Sequence, residues 1–248
     1  LGGPLTATRG YAAPEILEVQ SRARALCEET GETEALFDVL EGLWGYHYVK
    51  ADLAIARDLG DQLLAMAERT GDGTRLLRAH TALGCTTSSL GEESTAQEHL
   101  ERALACHDPE RHSKLMTGWG ADPGIIALFY LSGRLTTLGY PDQGFAAAQR
   151  AFAVARVQPH SFGMAWALQT MAAIYLRRGA MTEALETADA LVSLSREQGF
   201  AQWLTHGMLF RGAALSWLGP PADAIPQLKD ALAARLATGA QTMQPGFS

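Results

Sequence analysis

Glycine returns in this chain on a 40-residue ruler: Gly31 and Gly71 stand 40 positions apart, and so do Gly199 and Gly239. The interval from Gly71 to Gly199 is 128, three such periods and eight residues more. A second ruler, Ala51, Gly91, Gly139, Gly179 and Gly219, steps by 40, 48, 40 and 40, so the extra eight residues fall between Gly91 and Gly139. A fixed period of this size marks a stacked array in which each unit buries its apolar face on the next. It argues against a single central active-site cleft.

Between the markers, apolar and small residues recur at i, i+3, i+4 and i+7, the spacing of one helix face. The fourth unit serves as the template, with Ser161 to Arg178 as helix A, a turn at Gly179-Ala180, and Met181 to Gln198 as helix B, closed by Gly199. Glycine after a helix permits the left-handed backbone that satisfies the last carbonyls, so the rulers mark the ends of the B and A helices. The other predicted pairs are Thr33 to Lys50 with Asp52 to Thr70, Arg75 to Leu90 with Ser94 to His107, Pro123 to Leu138 with Asp142 to Val157, and Phe200 to Leu218 with Ala222 to Thr238. Ser94 with Gln97 reads as a capping box, and Asp122-Pro123 as a cap followed by proline at the first helical position. Small residues fall where paired helices must cross: Ala56, Ala96, Gly144, Ala184 and Ala224 on the B helices, and Gly84, Ser132, Ala172 and Gly212 on the A helices, with Trp44 the exception. The expected units are 33–72, 73–122, 123–159, 160–199 and 200–239, with 1–32 a partial first unit and 240–248 the start of another. Residues 1–9 supply only part of a helix A, and Pro14 to Glu29 its helix B, so the expectation is a piece of a longer protein.

Formal net charge is −7, and no basic stripe is present, which argues against nucleic acid and anionic membrane surfaces as partners. Cys27, Cys85 and Cys106 are odd in number and lie in helical patterns, as buried thiols of a reducing compartment do. No run approaches the ~20 apolar residues of a membrane span, and a cytoplasmic location is expected.

Leu83-Gly84, Gly91, Ala96 and Ala103 in one unit, and Tyr175, Gly179 and Ala184 in another, resemble the tetratricopeptide repeat family in their order of Leu-Gly, turn, Ala and Ala. The departure is the longer period, which lengthens each helix by almost a turn. The resemblance implies an all-α fold, a right-handed α-solenoid of antiparallel helix hairpins. More specifically, Gly10-Tyr11-Ala12-Ala13-Pro14-Glu15, the segment from His107-Asp108-Pro109 to Asp122-Pro123-Gly124, and Leu138-Gly139-Tyr140-Pro141-Asp142-Gln143 resemble the C-terminal helical region of bacterial signalling proteins. In those proteins a class III adenylate or guanylate cyclase domain and a predicted NTPase domain precede the repeats. This implies a regulatory module attached to such domains, itself non-catalytic.

The residues agree on the last point. No phosphate-cradling Gly-x-x-x-x-Gly-Lys-Ser/Thr loop, His-Glu-x-x-His or Gly-x-Ser-x-Gly motif occurs, and no cofactor is expected. The eight-residue excess gathers His107, Asp108, His112, Trp119 and Asp122, for which metal ligation competes with a plain packed loop. The loop is a candidate through His112 and Trp119, but no metal ligand set is assigned. The better candidate is the groove that helices A line in this family. Carrying that register across selects Tyr48, Arg78, Thr81, Phe129, Trp166, Gln169, Arg177, His206 and Trp217, together with Asp38, Glu41, Ser88, Ser89, Ile126, Thr136, Leu209 and Ser216. Aromatic anchors with dispersed polar groups suit a peptide or protein segment, or a small effector. Inter-repeat packing is the alternative for Phe129, Trp166 and Trp217. A constitutive scaffold or self-association module is the rival function.

Overall fold

The computed structural model describes residues 14–112, 121–158 and 160–237, and every regular element within them is an α-helix. In chain order these are α1 (Pro14–Thr30), α2 (Thr33–Val49), α3 (Leu53–Thr70), α4 (Gly73–Ser89), α5 (Glu93–Ala105) and the one-turn α6 (Pro109–His112). They continue with α7 (Pro123–Thr137), α8 (Pro141–Arg156), α9 (Ser161–Arg177), α10 (Met181–Gln198), α11 (Ala201–Leu218) and α12 (Pro221–Ala237). Helices α2, α4, α7, α9 and α11 are the A helices, and α3, α5, α8, α10 and α12 the B helices that follow them.

The glycine rulers act as the sequence implies, with instructive exceptions. Gly31, Gly71, Gly91, Gly139, Gly179 and Gly199 all have left-handed φ, between 65° and 91°. Ala51 takes the same conformation at φ 63°, a strained position for a residue with a Cβ. Gly219 departs: it is extended at φ −145°, ψ −169°. Pro220 follows it, and a proline ring drives the residue before it toward extended backbone.

The expected capping box is also corrected. Helix α5 starts at Glu93, so Ser94 lies inside its first turn, and the Glu92 cap position makes no side-chain cap bond. The Gln97 amide instead donates to Glu101 at 2.8 Å. Asp122 caps α7 as expected, accepting from the Gly124 N–H at 2.7 Å with Pro123 in the first turn. Asp72 caps α4 in the same way, accepting from Thr74 and Arg75.

Consecutive helices pack against one another along the chain, and the A helices also touch directly, α4 with α7, α7 with α9 and α9 with α11, with α2 and α4 in lighter contact. Among the described residues no comparable contact joins one B helix to another. The A helices therefore occupy the crowded inner side of the stack. Close approach within hairpins depends on missing side chains. A Cβ on Gly84 would lie 2.7 Å from Leu100, and one on Gly212 2.6 Å from Leu228. Ala56, Ala96 and Ala184 are fully buried at the corresponding crossings. Overpacking such a site costs about 1–3 kcal/mol.

Candidate binding face on the A helices

An A helix in this stack is hemmed in by its own B helix, the preceding B helix and the neighbouring A helices, so little of it meets solvent. That crowding decides the fate of the predicted groove residues. Trp166 is fully buried, edge-on to Phe129 at 5.2 Å between ring centroids and to Trp203 at 4.8 Å. Phe162 and Phe200 extend the same aromatic cluster. Trp166 is thus a core residue joining α7, α9 and α11 and not a groove anchor, while Phe129 is half-buried against it.

Thr81 is corrected too: it is buried and its hydroxyl donates to its own helix at the Leu77 carbonyl. Ile126 and Leu209 are buried apolar residues, and Thr136 and Ser216 hydroxyls likewise donate to carbonyls of their own helices. Gln169 and His206 form a buried polar chain across three helices. The Arg235 guanidinium of α12 faces His206 Nε2, and His206 Nδ1 lies 2.5 Å from Gln169 Oε1. An arginine can only donate, so Nε2 accepts and the Nδ1–H donates to Gln169. Burial, reinforced by the Arg235 charge, pushes the His206 pKa down to about 3, which keeps the ring neutral.

Arg78 is tied down rather than open. It donates to Glu41 through Nε at 2.9 Å and a terminal nitrogen at 2.6 Å, and to Asp38 at 2.7 Å, with its guanidinium 4.8 Å from the Phe37 ring centroid. Burial opposes its charge, but the Glu41 and Asp38 carboxylates outweigh that and raise its pKa. Glu41 is itself 4% exposed, so this fork neutralises a buried carboxylate between α2 and α4.

What remains open lies toward the C-terminal ends of the A helices. The Tyr48 hydroxyl is 2.9 Å from Ser89 Oγ and 2.6 Å from the Tyr130 hydroxyl, and Ser89 is exposed. Burial raises the pKa of both tyrosines, so this three-hydroxyl chain across α2, α4 and α7 stays protonated. One turn further along α7, Arg134 pairs with Glu93 at the start of α5. Arg177 is exposed at the end of α9, and its nearest acceptor is the Gly133 carbonyl at 3.4 Å. Trp217 is 76% exposed and holds, one unit on, the place that Arg177 holds on α9. The open strip therefore contains Arg177 and Trp217 from the predicted set, whereas Tyr48, 1% exposed, is a buried residue beneath it. Tyr130, Gly133 and Arg134 were not in that set.

The loop candidate divides. Trp119 lies outside the described residues. His112 is 1% exposed and serves the chain locally: its Nδ1 accepts from the Asp108 N–H at 3.0 Å, leaving Nε2–H to donate to Thr74 Oγ1 at 3.2 Å. Burial and the neighbouring His107 lower its pKa. Asp108 caps α6, and Asp122 holds His107 and Gln158 besides capping α7. Among the described residues no three His, Cys, Asp or Glu side chains are grouped to hold a metal ion. No described helix is long and apolar enough to cross a membrane.

No protein-family model matches this chain, and no curated protein matches its sequence. Among solved structures it is similar to BtubC (BKLC) from P. vanneervenii, with a TM-score of 0.65 and 16% identity over 94% of this chain and 93% of that one. At that identity the likeness is one of fold.

Proposed function

We propose that this chain is a non-catalytic interaction or ligand-sensing module, a right-handed solenoid of tetratricopeptide-like hairpins with a unit of about 40 residues. Its binding face is the open strip on the A helices, and its setting is a bacterial signalling protein of the cyclase and NTPase type, in the cytoplasm. The observation that carries the reading is the strip itself: Ser89 and Arg177 exposed, and Tyr130 and Arg134 half-buried, on the consecutive A helices α4, α7 and α9. A ligand spanning several A helices favours one spacing between them, and by linkage that spacing biases whatever is attached.

The test is thermal melting of the chain against a panel of metabolites, nucleotides and peptides, since a ligand of the folded state raises its stability by mass action. The reading expects a concentration-dependent rise that Ser89→Trp on the strip abolishes and Glu101→Trp on the exposed side of α5 does not. A flat panel would sink it.

One observation favours the scaffold alternative. Helix α12 exposes Ile225 (46%), Leu232 (50%) and Leu236 (70%), a row of apolar side chains suited to self-association. Sedimentation over a range of concentrations separates the two readings, because a scaffold of this kind associates without ligand.

A further inference from the structure

Arg177 carries a charge on the open strip that no carboxylate among the described residues neutralises. Its neighbours show what an explained arginine looks like here: Arg78 is held by two carboxylates, Arg134 by Glu93, and Arg178 by Asp142. Arg177 has no carboxylate partner among the described residues, and its longest reach ends on a carbonyl, Gly133, at 3.4 Å. It is also placed against a like charge. Arg134 follows Gly133 in sequence; burial of part of the Arg177 side chain, with the Arg134 charge adding to it, holds the Arg177 pKa below the usual arginine value.

Arg177 on α9 thus reaches over the Gly133 carbonyl of α7, and the next residue of α7, Arg134, brings a second guanidinium that is paired with a single carboxylate, Glu93. Gly133 keeps the ground between them clear, since a Cβ there would meet nothing closer than Arg177 itself at 3.8 Å. The Tyr130 hydroxyl, one turn back on the same helix, is taken up by the Tyr48 hydroxyl at 2.6 Å.

We infer that Arg177 and Arg134 form a subsite for an oxyanion, the carboxylate or phosphate group of a ligand lying along the strip. The inference rests on the reading of this strip as a binding face and names the chemistry it takes. A guanidinium presents paired N–H donors in a fork that matches the two oxygens of either group. Arriving between the two arginines, the oxyanion replaces a repulsion with two attractions, so its binding is worth most where the unliganded protein is least comfortable. Glu93 competes for Arg134 and sets how much of that second fork the ligand gains.

The experiment is calorimetric titration and thermal melting of the full 248-residue chain with inorganic phosphate, with succinate, and with sodium chloride at matched ionic strength. Phosphate or succinate, or both, bind and raise the melting temperature beyond the chloride control, and the stronger of the two identifies the source of the oxyanion. Arg177→Gln weakens that binding about tenfold, the loss of one charge-assisted pair, while leaving the unliganded melting temperature unchanged or higher. Glu93→Gln binds more tightly than the parent chain. Equal effects of all three salts would overturn the inference, as would undiminished binding by Arg177→Gln or loss of its fold. Should the oxyanions fail while another ligand acts through Ser89, the subsite is refuted and the binding face stands; should nothing touch the strip, both fall.

Discussion

Acid should weaken this fold through its buried histidines, and His206 shows how. His206 is 1% exposed, and its neutral ring accepts from Arg235 and donates to Gln169, so a proton on Nε2 must both enter a buried site and displace a guanidinium. Its folded pKa is about 3, against 6.5 for an unburied histidine. A depressed folded pKa means that the unfolded chain takes up the proton first. The stabilisation is complete above the unfolded value and is lost as pH falls from there toward 3. Each pH unit in that window is worth about 1.4 kcal/mol, so His206 alone accounts for a loss of about 2 kcal/mol between pH 7 and pH 5. His80 is depressed to about 4 by burial and by His99, and adds a loss of similar size over the same range. Urea unfolding of the parent chain and of His206→Gln at several pH values measures this directly. Glutamine retains an acceptor for Arg235 and cannot titrate, so the variant is weaker at pH 7 yet loses about 2 kcal/mol less than the parent on going to pH 5. Parallel stability curves for the two proteins would refute the assignment of a neutral, arginine-capped ring.

Other substitutions probe the packing. Ala51→Gly relieves a left-handed alanine where Gly91, Gly139 and Gly179 stand in later units, and it should raise stability by about 1 kcal/mol in urea unfolding. Gly144→Ala sets a Cβ 2.7 Å from the Ser132 carbonyl and against Thr136 Oγ1, costing about 1–3 kcal/mol, whereas Gly133→Ala meets only Arg177 at an ordinary contact distance of 3.8 Å and gains about 0.5–1 kcal/mol. Arg78→Met strands the buried Glu41 carboxylate and should cost about 3–5 kcal/mol, most of it recovered by adding Glu41→Gln. Thermal melts of the single and double variants check the recovery.

The helical array could be read from the sequence because its signals are local and repeated. Gly71, Gly179 and Gly199 end helices through their own φ, and Ala96 or Gly84 is small because one neighbouring helix is close. Every predicted helix end from Thr33 onward falls within two residues of the observed one. The binding face was legible only in part, because exposure is a property of the stack. Trp166 sits at a position of the expected groove, and here Phe129 of α7 and Trp203 of α11 cover it; Thr81 is likewise buried. Tyr130 was invisible as a site residue because its partner Tyr48 is 82 positions away, two units back, and no local pattern connects them. His206 resembled a groove ligand for the same reason: its burial depends on Arg235, which lies on the following helix.

A helix end offers a rival account of Arg177. Cations in the last turn complement the negative end of the helix dipole, and this alone is worth about 0.3–1 kcal/mol. The next residue supplies the control. Arg178, at the same end, donates to Asp142 at 2.9 Å and to the Pro141 carbonyl at 3.2 Å, and it covers the Phe145 ring at 4.9 Å. Those contacts make Arg178 a structural residue, and Arg178→Gln should lower stability by about 1 kcal/mol in both the presence and the absence of phosphate. Arg177 receives the same help from the dipole but faces Arg134, and the two effects oppose each other. If the dipole explains Arg177, Arg177→Gln destabilises the chain as Arg178→Gln does, and added phosphate shifts the two variants alike. If the oxyanion subsite explains it, Arg177→Gln melts at or above the parent temperature without phosphate and alone fails to respond when phosphate is added.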